Sequence, residues 1–486
     1  MTLDKTRAPL YEALAAHAAI GRYAYHVPGH KQRSQWGNEE ADRAYRPLLP
    51  LDVTELADTD DLHHPQGPIA EAQQLAAACF GAEETCFLVG GSTSGNLAMI
   101  VGTSRPGDLF LVQRNVHKSI IHGLMLAGVQ AVMLAPQLDQ LTGLAVIPGE
   151  ETIEEALDRY PHARGLILTA PNYYGMTAPL TGIVELAHRR GVPVLVDEAH
   201  GAHLGFHPLL PESALRAGAD VVVQSTHKML SAMTMGAMLH MQGGIVDREG
   251  IKQALRMVQS SSPSFPLLAS LDLARRQLHT EGSALFEPAL GAVKLVLDRL
   301  EGTPVRAIGY GAHANSSLRY DPLKLTLFDT SGKLSGTRLQ IELAARQCFA
   351  EMADDRNVVL AFGPGSTLAD GEALANALLD IAAAIDTWPE RDSKTEPIRI
   401  PELVAVPEPV MFRRDRSAVR RVRLEDSVGL IAGEWIIPYP PGIPVLYPGE
   451  VITHETLLQL ERWRDSGARI QGAGDETLAS IAVQGE

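Results

Sequence analysis

A lysine that follows an apolar stretch is the first residue of this sequence that could do chemistry. The stretch Val221 to Gln224 is typical of a buried strand, and Lys228 comes shortly after it, ahead of the small and apolar segment Met229 to Ala232. A lysine partly removed from water has a lowered pKa, and its neutral amine can form an imine with an aldehyde. Taken alone, the segment fits a surface lysine better, so other signals must decide.

An aspartate at the end of another apolar stretch supplies the second signal. Asp197 follows Pro193 to Val196, and a buried acid is costly unless it is paired. A pyridinium N–H is such a partner, and an ionised aspartate would keep the ring protonated and therefore electron-withdrawing. The plain alternative is an acid that caps a helix. Because helical sequence, Glu212 to Ala217, separates the two strands, we predict a parallel crossover that brings Asp197 and Lys228 to one sheet edge.

Two further segments indicate where a phosphate and an aromatic ring would lie. The turn from Gly90 to Asn96 carries the hydroxyls of Ser92, Thr93 and Ser94 at a predicted helix start, where free N–H groups bind phosphate. By itself such a turn fits a plain helix cap equally well. His117 follows another predicted strand and could stack on a ring, although a lone histidine is more often a polar loop residue. Together the four segments predict a pyridoxal 5'-phosphate (PLP) site.

The elements that must position these residues alternate between strand and helix from about Pro65 to Met241. Short, continuous apolar runs of this kind are typical of strands buried on both faces of a parallel sheet, and the alternation predicts a doubly wound α/β domain. Such sheets bind ligands at the carboxyl ends of their strands. The predicted strands are Thr85 to Val89, Leu109 to Val112, Ala131 to Leu134, Gly165 to Thr169, Pro193 to Val196 and Asp220 to Gln224.

The domain organisation is predicted from the positions at which the alternation of strands and helices changes. Residues 1–60 form an N-terminal arm, 61–290 a large cofactor-binding domain, 291–390 a small α/β domain and 391–486 a C-terminal domain. The polar stretch Pro389 to Pro397 is interpreted as a linker. The apolar stretch Ser119 to Pro136 contains glycines and polar residues, so we interpret it as a helix that runs into a strand and not as a membrane span.

Composition excludes several classes of protein. The 486 residues carry a net charge of -16, which argues against a nucleic-acid partner and is compatible with a cationic substrate. The three cysteines are too few for a disulfide framework, and they suit a cytoplasmic protein. No cysteine and histidine spacing fits a zinc site, so no metal is expected.

These segments, in this order, resemble the Orn/Lys/Arg decarboxylase family of fold-type-I PLP enzymes. The resemblance covers roughly Tyr11 to Arg276 and returns in the C-terminal part. It also rests on the following stretches: His26 to Lys31, Asp52 to Leu56, Asp60 to Pro65, Asp197 to His203, Ser225 to Lys228, Tyr439 to Pro444 and Pro448 to Glu450. It implies an aspartate aminotransferase-like α/β fold with a mostly parallel central sheet and a smaller α+β C-terminal part.

The resemblance also implies a role for each site residue. Lys228 would hold the cofactor aldehyde and Asp197 its ring nitrogen, while His117 stacks on the ring and His200 lies near the phenolic oxygen. Ser92, Thr93, Ser225 and His227 would hold the phosphate, with Ser94 a weaker candidate.

The chain departs from the family pattern in two places. Gly90 stands where an asparagine is common, and Gln32 to Ser34 follow the Pro-Gly-His-Lys stretch where a glycine is usual. Both departures leave the cofactor chemistry intact and leave the substrate open. The resemblance is to the short form of the family, so we do not expect the receiver-like N-terminal domain of the large members.

The expected reaction is decarboxylation of a basic amino acid, with arginine favoured before lysine or ornithine. A homodimer or higher homo-oligomer with an interface active site is implied. The substrate's distal cation needs an acidic partner, for which the candidates are Asp58, Asp60, Asp61, Glu434 and Glu450. The alternatives are an aminotransferase, with Arg338, Arg399 or Arg413 on the substrate carboxylate, and a non-catalytic regulator. The regulator is disfavoured because both Lys228 and Asp197 are present.

Overall fold

The structure is a computed structural model that describes residues 4–20, 23–315, 317–385, 404–412, 419–438, 444–465 and 469–485. The chain divides into two compact units. Unit 1 comprises Met1–Thr103, Pro193–Glu287 and Gly363–Gly365, and unit 2 comprises Ser104–Val192, Pro288–Phe362 and Ser366–Glu486.

The helices begin in the N-terminal arm and recur throughout the described residues. In chain order they are α1 (Pro9–Ala19), α2 (Glu39–Tyr45), α3 (Pro68–Phe80), α4 (Gly91–Thr103), α5 (Lys118–Ala127), α6 (Glu150–Arg159), α7 (Thr181–Arg189), α8 (Thr226–Met229), α9 (Arg248–Val258), α10 (Phe265–Glu281), α11 (Glu287–Leu300), α12 (Gly336–Ala345), α13 (Leu368–Ala384) and α14 (His454–Asp465).

The strands are short, and many of them are apolar. In chain order they are β1 (Glu84–Leu88), β2 (Leu109–Gln113), β3 (Gln130–Leu134), β4 (Gly165–Thr169), β5 (Met176–Thr177), β6 (Val194–Asp197), β7 (Val221–Gln224), β8 (Ala237–Met241), β9 (Val305–Ala307), β10 (Arg319–Tyr320), β11 (Lys324–Asp329), β12 (Met352–Ala353), β13 (Asn357–Ala361), β14 (Val410–Met411), β15 (Val419–Arg423), β16 (Ile437–Pro438), β17 (Ile470–Gln471) and β18 (Ser480–Gln484).

Unit 1 contains four neighbouring strands in the order β1-β8-β7-β6. Strands β6 and β7 run parallel, with Asp197 opposite Val223, whereas β8 is antiparallel to both β7 and β1. Every residue of β6, β7 and β8 is buried. The continuous apolar runs thus form strands covered on both faces, as their sequence predicts.

Helix α4 makes two unusually close contacts in unit 1, and both depend on glycine. A Cβ atom built on Gly95 would lie 2.7 Å from the Val223 side chain on β7. At the other end of the helix, a Cβ on Gly102 would lie 2.4 Å from the Ile251 backbone, and one on Gly250 would lie 2.4 Å from the Gly102 carbonyl oxygen. The absence of side chains therefore lets α4 approach β7 and α9 closely.

Unit 2 contains the strand order β4-β2-β3-β14, in which β2 is parallel to both β3 and β4, and β14 is antiparallel to β3. A separate antiparallel sheet has the order β12-β13-β11-β9. Towards the C-terminus, β15 pairs with β18 and β16 pairs with β17. A core that includes Leu424, Ile436, Leu460 and Ile481 is buried in this last region.

The predicted α/β class with a mostly parallel central sheet is confirmed. The predicted strands of the large domain are present to within a residue or two at their ends. The stretch Ser119 to Pro136 contains helix α5 followed by strand β3, as expected. Within the described part of the chain, no helix has both the length and the apolar character needed to cross a bilayer.

Three details differ from the sequence prediction. Helix α4 begins at Gly91, five residues before the expected start at Asn96, and β8 was not predicted as a separate strand. The predicted helix from Glu212 to Ala217 is wrong, because Glu212 and Ser213 are irregular and Ala214 to Gly218 form a turn. The segment is short and lies between Pro211 and Gly218, and the backbone N–H of Ala214 donates to a side chain outside it.

Some predictions fall outside the described residues. These are the linker Pro389 to Pro397 and most of the Tyr439 to Pro444 stretch. The division of the chain into four domains stays a prediction.

Candidate active site

The parallel pairing of β6 and β7 brings the two principal residues to one edge of the sheet. Asp197 is the last residue of β6, and Lys228 lies in the one-turn helix α8 that follows β7. The charge of Lys228 acts on the Asp197 carboxyl, so the two side chains belong to one site. The predicted convergence therefore holds, although the crossover between the strands contains turns where a helix was expected.

Asp197 is a buried carboxyl with few partners. Asp197 is only 2% exposed. Its Oδ2 accepts a hydrogen bond from Asn96 Nδ2 at 2.8 Å, and its Oδ1 accepts one from the Ala199 backbone N–H at 3.1 Å. Burial raises the pKa of Asp197, and the Lys228 charge and the Asn96 hydrogen bond only partly oppose that effect. A cationic N–H donor is the partner that would favour its ionised form.

Asn96 is a site residue that the sequence analysis did not assign. It lies in the second turn of α4 and is completely buried. Its position directly before the apolar run Leu97 to Ile100 was the signal that could have revealed it, because buried amides require partners. Asn96 orients the Asp197 carboxyl by holding one of its oxygens.

Lys228 and His200 lie close together. The distance from Lys228 Nζ to His200 Nε2 is 3.0 Å, and His200 is 5% exposed whereas Lys228 is half-buried. An amine and an imidazole at hydrogen-bond distance can exchange a proton. The structure thus places His200 beside Lys228, whereas its predicted position near the phenolic oxygen of the cofactor stays a prediction.

The first turn of α4 forms one side of the predicted phosphate site. Ser92 is half-buried and Thr93 is exposed, so both hydroxyls are accessible. The Ser94 hydroxyl instead donates to the Gly91 carbonyl at 2.8 Å, which agrees with its ranking as the weaker candidate. The Gly91 N–H donates to the Met235 carbonyl, so later N–H groups of this turn would have to bind an anion.

The segment after β7 forms the other side. Ser225 is completely buried, and its hydroxyl has no hydrogen-bond partner among the described residues. An unsatisfied buried hydroxyl is costly, and a phosphate oxygen would satisfy it. His227 is half-buried, and its ring Nδ1 lies 3.0 Å from the Gly236 carbonyl, which orients the imidazole. The residues present thus fit a phosphate-bearing group.

His117 belongs to unit 2 and occupies the N-cap of α5. Its Nδ1 accepts from the Ser119 backbone N–H at 3.2 Å, and the Ser119 hydroxyl lies 2.8 Å away. These contacts fix the imidazole at the helix start. Its predicted stacking on a cofactor ring stays a prediction.

The acidic residues proposed for a substrate cation have protein partners. In unit 1, Asp60 accepts from several backbone N–H groups, including those of Gly67 and Ile69 at the start of α3. Asp61 accepts from the His63 N–H, and Asp58 lies 3.0 Å from His17. These contacts give the three acids structural roles in the arm.

The two acidic candidates in unit 2 have stronger partners. Glu434 accepts from the backbone N–H groups of Gly474 and Ala482, and it pairs with Arg421. Glu450 pairs with Arg114 at 3.1 Å. The residue that binds the distal cation therefore stays unassigned.

The arginines considered for an aminotransferase give little support to that alternative. Arg338 is 55% exposed and pairs with Glu342 one turn further along α12. Arg399 and Arg413 lie outside the described residues.

Comparison with solved structures first defines the class of protein. The constitutive lysine decarboxylase of Escherichia coli aligns with a TM-score of 0.80 at 21% identity, covering 99% of this chain and 82% of that one. The wider set of structural neighbours consists of fold-type-I PLP-dependent enzymes, so the fold is the one expected.

Sequence comparison then defines the family. The Orn/Lys/Arg decarboxylase major-domain model matches residues 8–301, and the C-terminal-domain model of the same family matches residues 393–469. The chain belongs to the Orn/Lys/Arg decarboxylase family, whose members are PLP-dependent lyases.

Two curated relatives are similar over nearly their whole length. The uncharacterized protein YaaO of Bacillus subtilis is 42% identical over 474 residues, covering 96% of each chain. The arginine decarboxylase of the same organism is 36% identical over 492 residues, covering 99% of this chain and 98% of that one.

Proposed function

We propose that this protein uses PLP to decarboxylate a basic amino acid, with arginine favoured before lysine or ornithine, to the corresponding amine and CO2. The observation that carries the proposal is the convergence of Asp197 and Lys228 at the ends of adjacent parallel strands. Beside them lies the Ser225 hydroxyl, which has no hydrogen-bond partner in the described part of the chain. The preference for arginine is supported by the 36% identity to a relative named arginine decarboxylase.

Residues of unit 1 would hold the cofactor. Lys228 would bind its aldehyde carbon and Asp197 its ring N–H, which supplies the cationic donor that the buried carboxyl needs. Ser92, Thr93, Ser225 and His227 would hold the phosphate, with Ser94 a weaker candidate. His200 would lie near the phenolic oxygen, and the family resemblance implies that His117 stacks on the ring.

The cofactor supplies one chemical capability: its protonated ring withdraws the electron pair left at Cα when the carboxylate departs as CO2. Asp197 maintains that capability because its negative charge keeps the proton on the ring nitrogen. Loss of CO2 from the amino acid requires one proton at Cα to give the amine. Lys228 Nζ and His200 Nε2, 3.0 Å apart, are positioned to hold and deliver that proton.

A CO2-release assay tests this proposal directly. The purified protein, loaded with PLP, should release CO2 from arginine, and the same assay with lysine and ornithine ranks the substrates. Transfer of the amino group to a keto acid without CO2 release would instead identify an aminotransferase. A protein that binds PLP but transforms none of these amino acids would support a regulator.

The role of Lys228 has its own test. Lys228→Ala should abolish the absorbance change that borohydride produces in the PLP-loaded protein, because no imine would be available for reduction. Lys294→Ala, which removes a 74% exposed lysine, is the matched control and should leave the change intact. An undiminished change in Lys228→Ala would refute the assignment.

The remaining expectations extend the proposal to the whole protein. A cytoplasmic homodimer or higher homo-oligomer, acting in polyamine biosynthesis, is the proposed context. The exposed aromatic residues of the arm, including Tyr23, Tyr25 and Trp36, are compatible with a protein interface there. Light scattering of the PLP-loaded protein would measure the oligomeric state, and a monomer would exclude an active site shared between subunits.

A further inference from the structure

A row of buried polar side chains crosses the four strands of unit 1. Glu198 follows β6, Gln224 ends β7, His240 lies in β8 and Thr85 in β1, so the row follows the order of the strands in the sheet. The Glu198 and Gln224 side chains are 2.6 Å apart, Gln224 and His240 are 3.1 Å apart, and His240 and Thr85 are 2.8 Å apart. All four residues are at most 3% exposed.

The donor and acceptor roles along this row are mutually consistent. Gln224 donates through Nε2 to Glu198, so its Oε1 faces His240 and requires a hydrogen on His240 Nε2. His240 Nδ1 then accepts from the Thr85 hydroxyl. Burial lowers the pKa of His240 to about 3, which keeps the imidazole neutral, as this arrangement requires.

The Glu198 carboxyl is the end of the row that reaches the active site. Besides Gln224, it accepts from the Ser213 hydroxyl at 2.9 Å and from the Ala214 backbone N–H at 2.7 Å. Ser213 and Ala214 belong to the crossover between β6 and β7, which contains turns where a helix was predicted. Glu198 therefore holds this irregular crossover against the ends of both strands.

The residues that flank this contact are the ones proposed to hold the cofactor. Asp197 directly precedes Glu198, and Ser225 directly follows Gln224. The Ser225 backbone N–H also donates to the Ala199 carbonyl, at 3.3 Å. The Glu198 and Gln224 side chains thus join the two strand ends at the point where the cofactor residues emerge.

We propose that Glu198 is a positioning residue of the active site. Its carboxyl, through Gln224 and the crossover, fixes the spacing between Asp197 and the Ser225–Lys228 segment, so that one end binds the ring nitrogen while the other binds the phosphate. This inference rests on the proposed PLP-dependent function. A purely structural role predicts loss of stability alone, whereas a positioning role predicts weaker cofactor binding beyond any loss of stability.

The test compares two ends of the same buried row. Glu198→Ala removes the active-site end, and Thr85→Val removes the far end while keeping the side-chain shape. For each variant we would measure the urea midpoint of the unliganded protein and the Kd for PLP by fluorescence quenching. We would also measure the pH midpoint at which the absorbance of the bound cofactor changes.

Glu198→Ala should raise the Kd for PLP about tenfold or more, because the hydrogen bonds that its carboxyl accepts beside the cofactor residues are lost. The pH midpoint of the cofactor absorbance should shift as well. Thr85→Val should lower the urea midpoint with less than about a twofold change in Kd. Equal changes in Kd for the two variants, or an unchanged Kd in Glu198→Ala, would overturn the inference.

An exchange of the two interacting groups covers the case in which Glu198→Ala does not fold. Glu198→Gln alone leaves two amides facing each other, and adding Gln224→Glu restores one carboxyl and one amide. The single variant should bind PLP more weakly, and the double variant should recover affinity to within about threefold of the original protein. Original affinity in the single variant overturns the inference. Absence of PLP binding by the unaltered protein would overturn the proposed function as well, so the two failures are distinguishable.

Discussion

The buried carboxyl group of Glu434 in unit 2 and those of Asp197 and Glu198 in unit 1 have different kinds of partners. In unit 2, Glu434 accepts hydrogen bonds from two backbone N–H groups at 2.7 Å and forms an ion pair with Arg421. In unit 1, Asp197 accepts hydrogen bonds from one amide and one backbone N–H. The hydrogen-bond partners of Glu198 among the described residues are all neutral. An acid whose carboxyl oxygens are fully hydrogen-bonded and ion-paired stabilises the domain that contains it. An acid without a cationic donor indicates instead where a ligand binds.

The largest expected effect comes from neutralising the acid of the active site. Asp197→Asn should lower the rate of CO2 release at least about a hundredfold, because the ring nitrogen would lose the charge that keeps it protonated. The urea midpoint of the unliganded protein should stay the same or rise, since a buried charge is removed. CO2 release and urea denaturation measure the two expectations.

Asp220→Asn is the matched control for that experiment. Asp220 is also a buried aspartate, and it accepts from the Val194 N–H at the opposite end of the same strand pair. Its substitution should lower stability and leave the rate of CO2 release of the folded enzyme within about threefold. Similar losses of rate in both variants would remove the distinction between the two kinds of acid.

Substitution of Glu434 in unit 2 should lower the stability of the protein, whereas Asp197→Asn should not. Glu434→Ala should lower the free energy of unfolding by about 3 kcal/mol, because two backbone N–H groups lose their acceptor. Urea denaturation of Glu434→Ala, compared with Glu425→Ala at a partly exposed acid, measures this effect. A loss below about 1 kcal/mol would show that the Glu434 contacts contribute little to stability.

The dependence of stability on pH should show the titration of Glu198. Burial raises the pKa of Glu198 to about 7. The folded protein therefore retains a proton that the unfolded chain releases near pH 4.5, and the contribution of Glu198 to stability falls as pH rises between those values. The fall is on the order of 3 kcal/mol.

His240 has the opposite effect on the pH dependence of stability. Burial lowers its pKa to about 3, so its contribution to stability rises with pH from about 3 to about 6.5. Glu198→Gln should remove the falling contribution and make the stability rise more steeply between pH 4.5 and 6.5 than in the unaltered protein. Urea midpoints across this pH range measure the change, and Thr85→Val should keep the original slope. A pH-independent offset in Glu198→Gln would contradict the titration of Glu198.

The smallest effect should come from the amide that orients Asp197. Asn96→Ala leaves Asp197 with one fewer donor, and it should weaken PLP binding about tenfold. Gln73→Ala removes another amide of unit 1, one that accepts from the Phe87 N–H, and it should leave the Kd unchanged. Equal affinities in the two variants would mean that Asn96 has no special role in orienting the carboxyl.

Local sequence patterns were sufficient to predict most of the sheet and the convergence of Asp197 with Lys228. Strands buried on both faces are recognisable as apolar runs, and parallel pairing then places their ends together. The family resemblance added the assignments of His200 and His227, which residue spacing alone could not make.

Features that depend on tertiary partners were not predictable in the same way. Glu212 to Ala217 has helical composition, yet Ser213 and Ala214 hydrogen-bond to Glu198, which is distant in sequence. The role of Asn96 becomes evident only when α4 is placed beside β6, because its partner lies 101 residues away. The structural partners of the five candidate acids, Asp58, Asp60, Asp61, Glu434 and Glu450, likewise became evident only from the fold.

The glycine contacts of α4 have a consequence for the geometry of the active site. Gly102 lies against Gly250 and Ile251, while the same helix carries Asn96 in its second turn and Ser92 in its first. A methyl group at position 102 would have to push the helix away from α9, because the atoms it meets are backbone. Such a displacement would move the Asn96 amide and the Ser92 hydroxyl together, because both residues belong to the same helix. The positions of Asn96 and Ser92 therefore both depend on Gly102, which lies two turns beyond Asn96 and has no side chain.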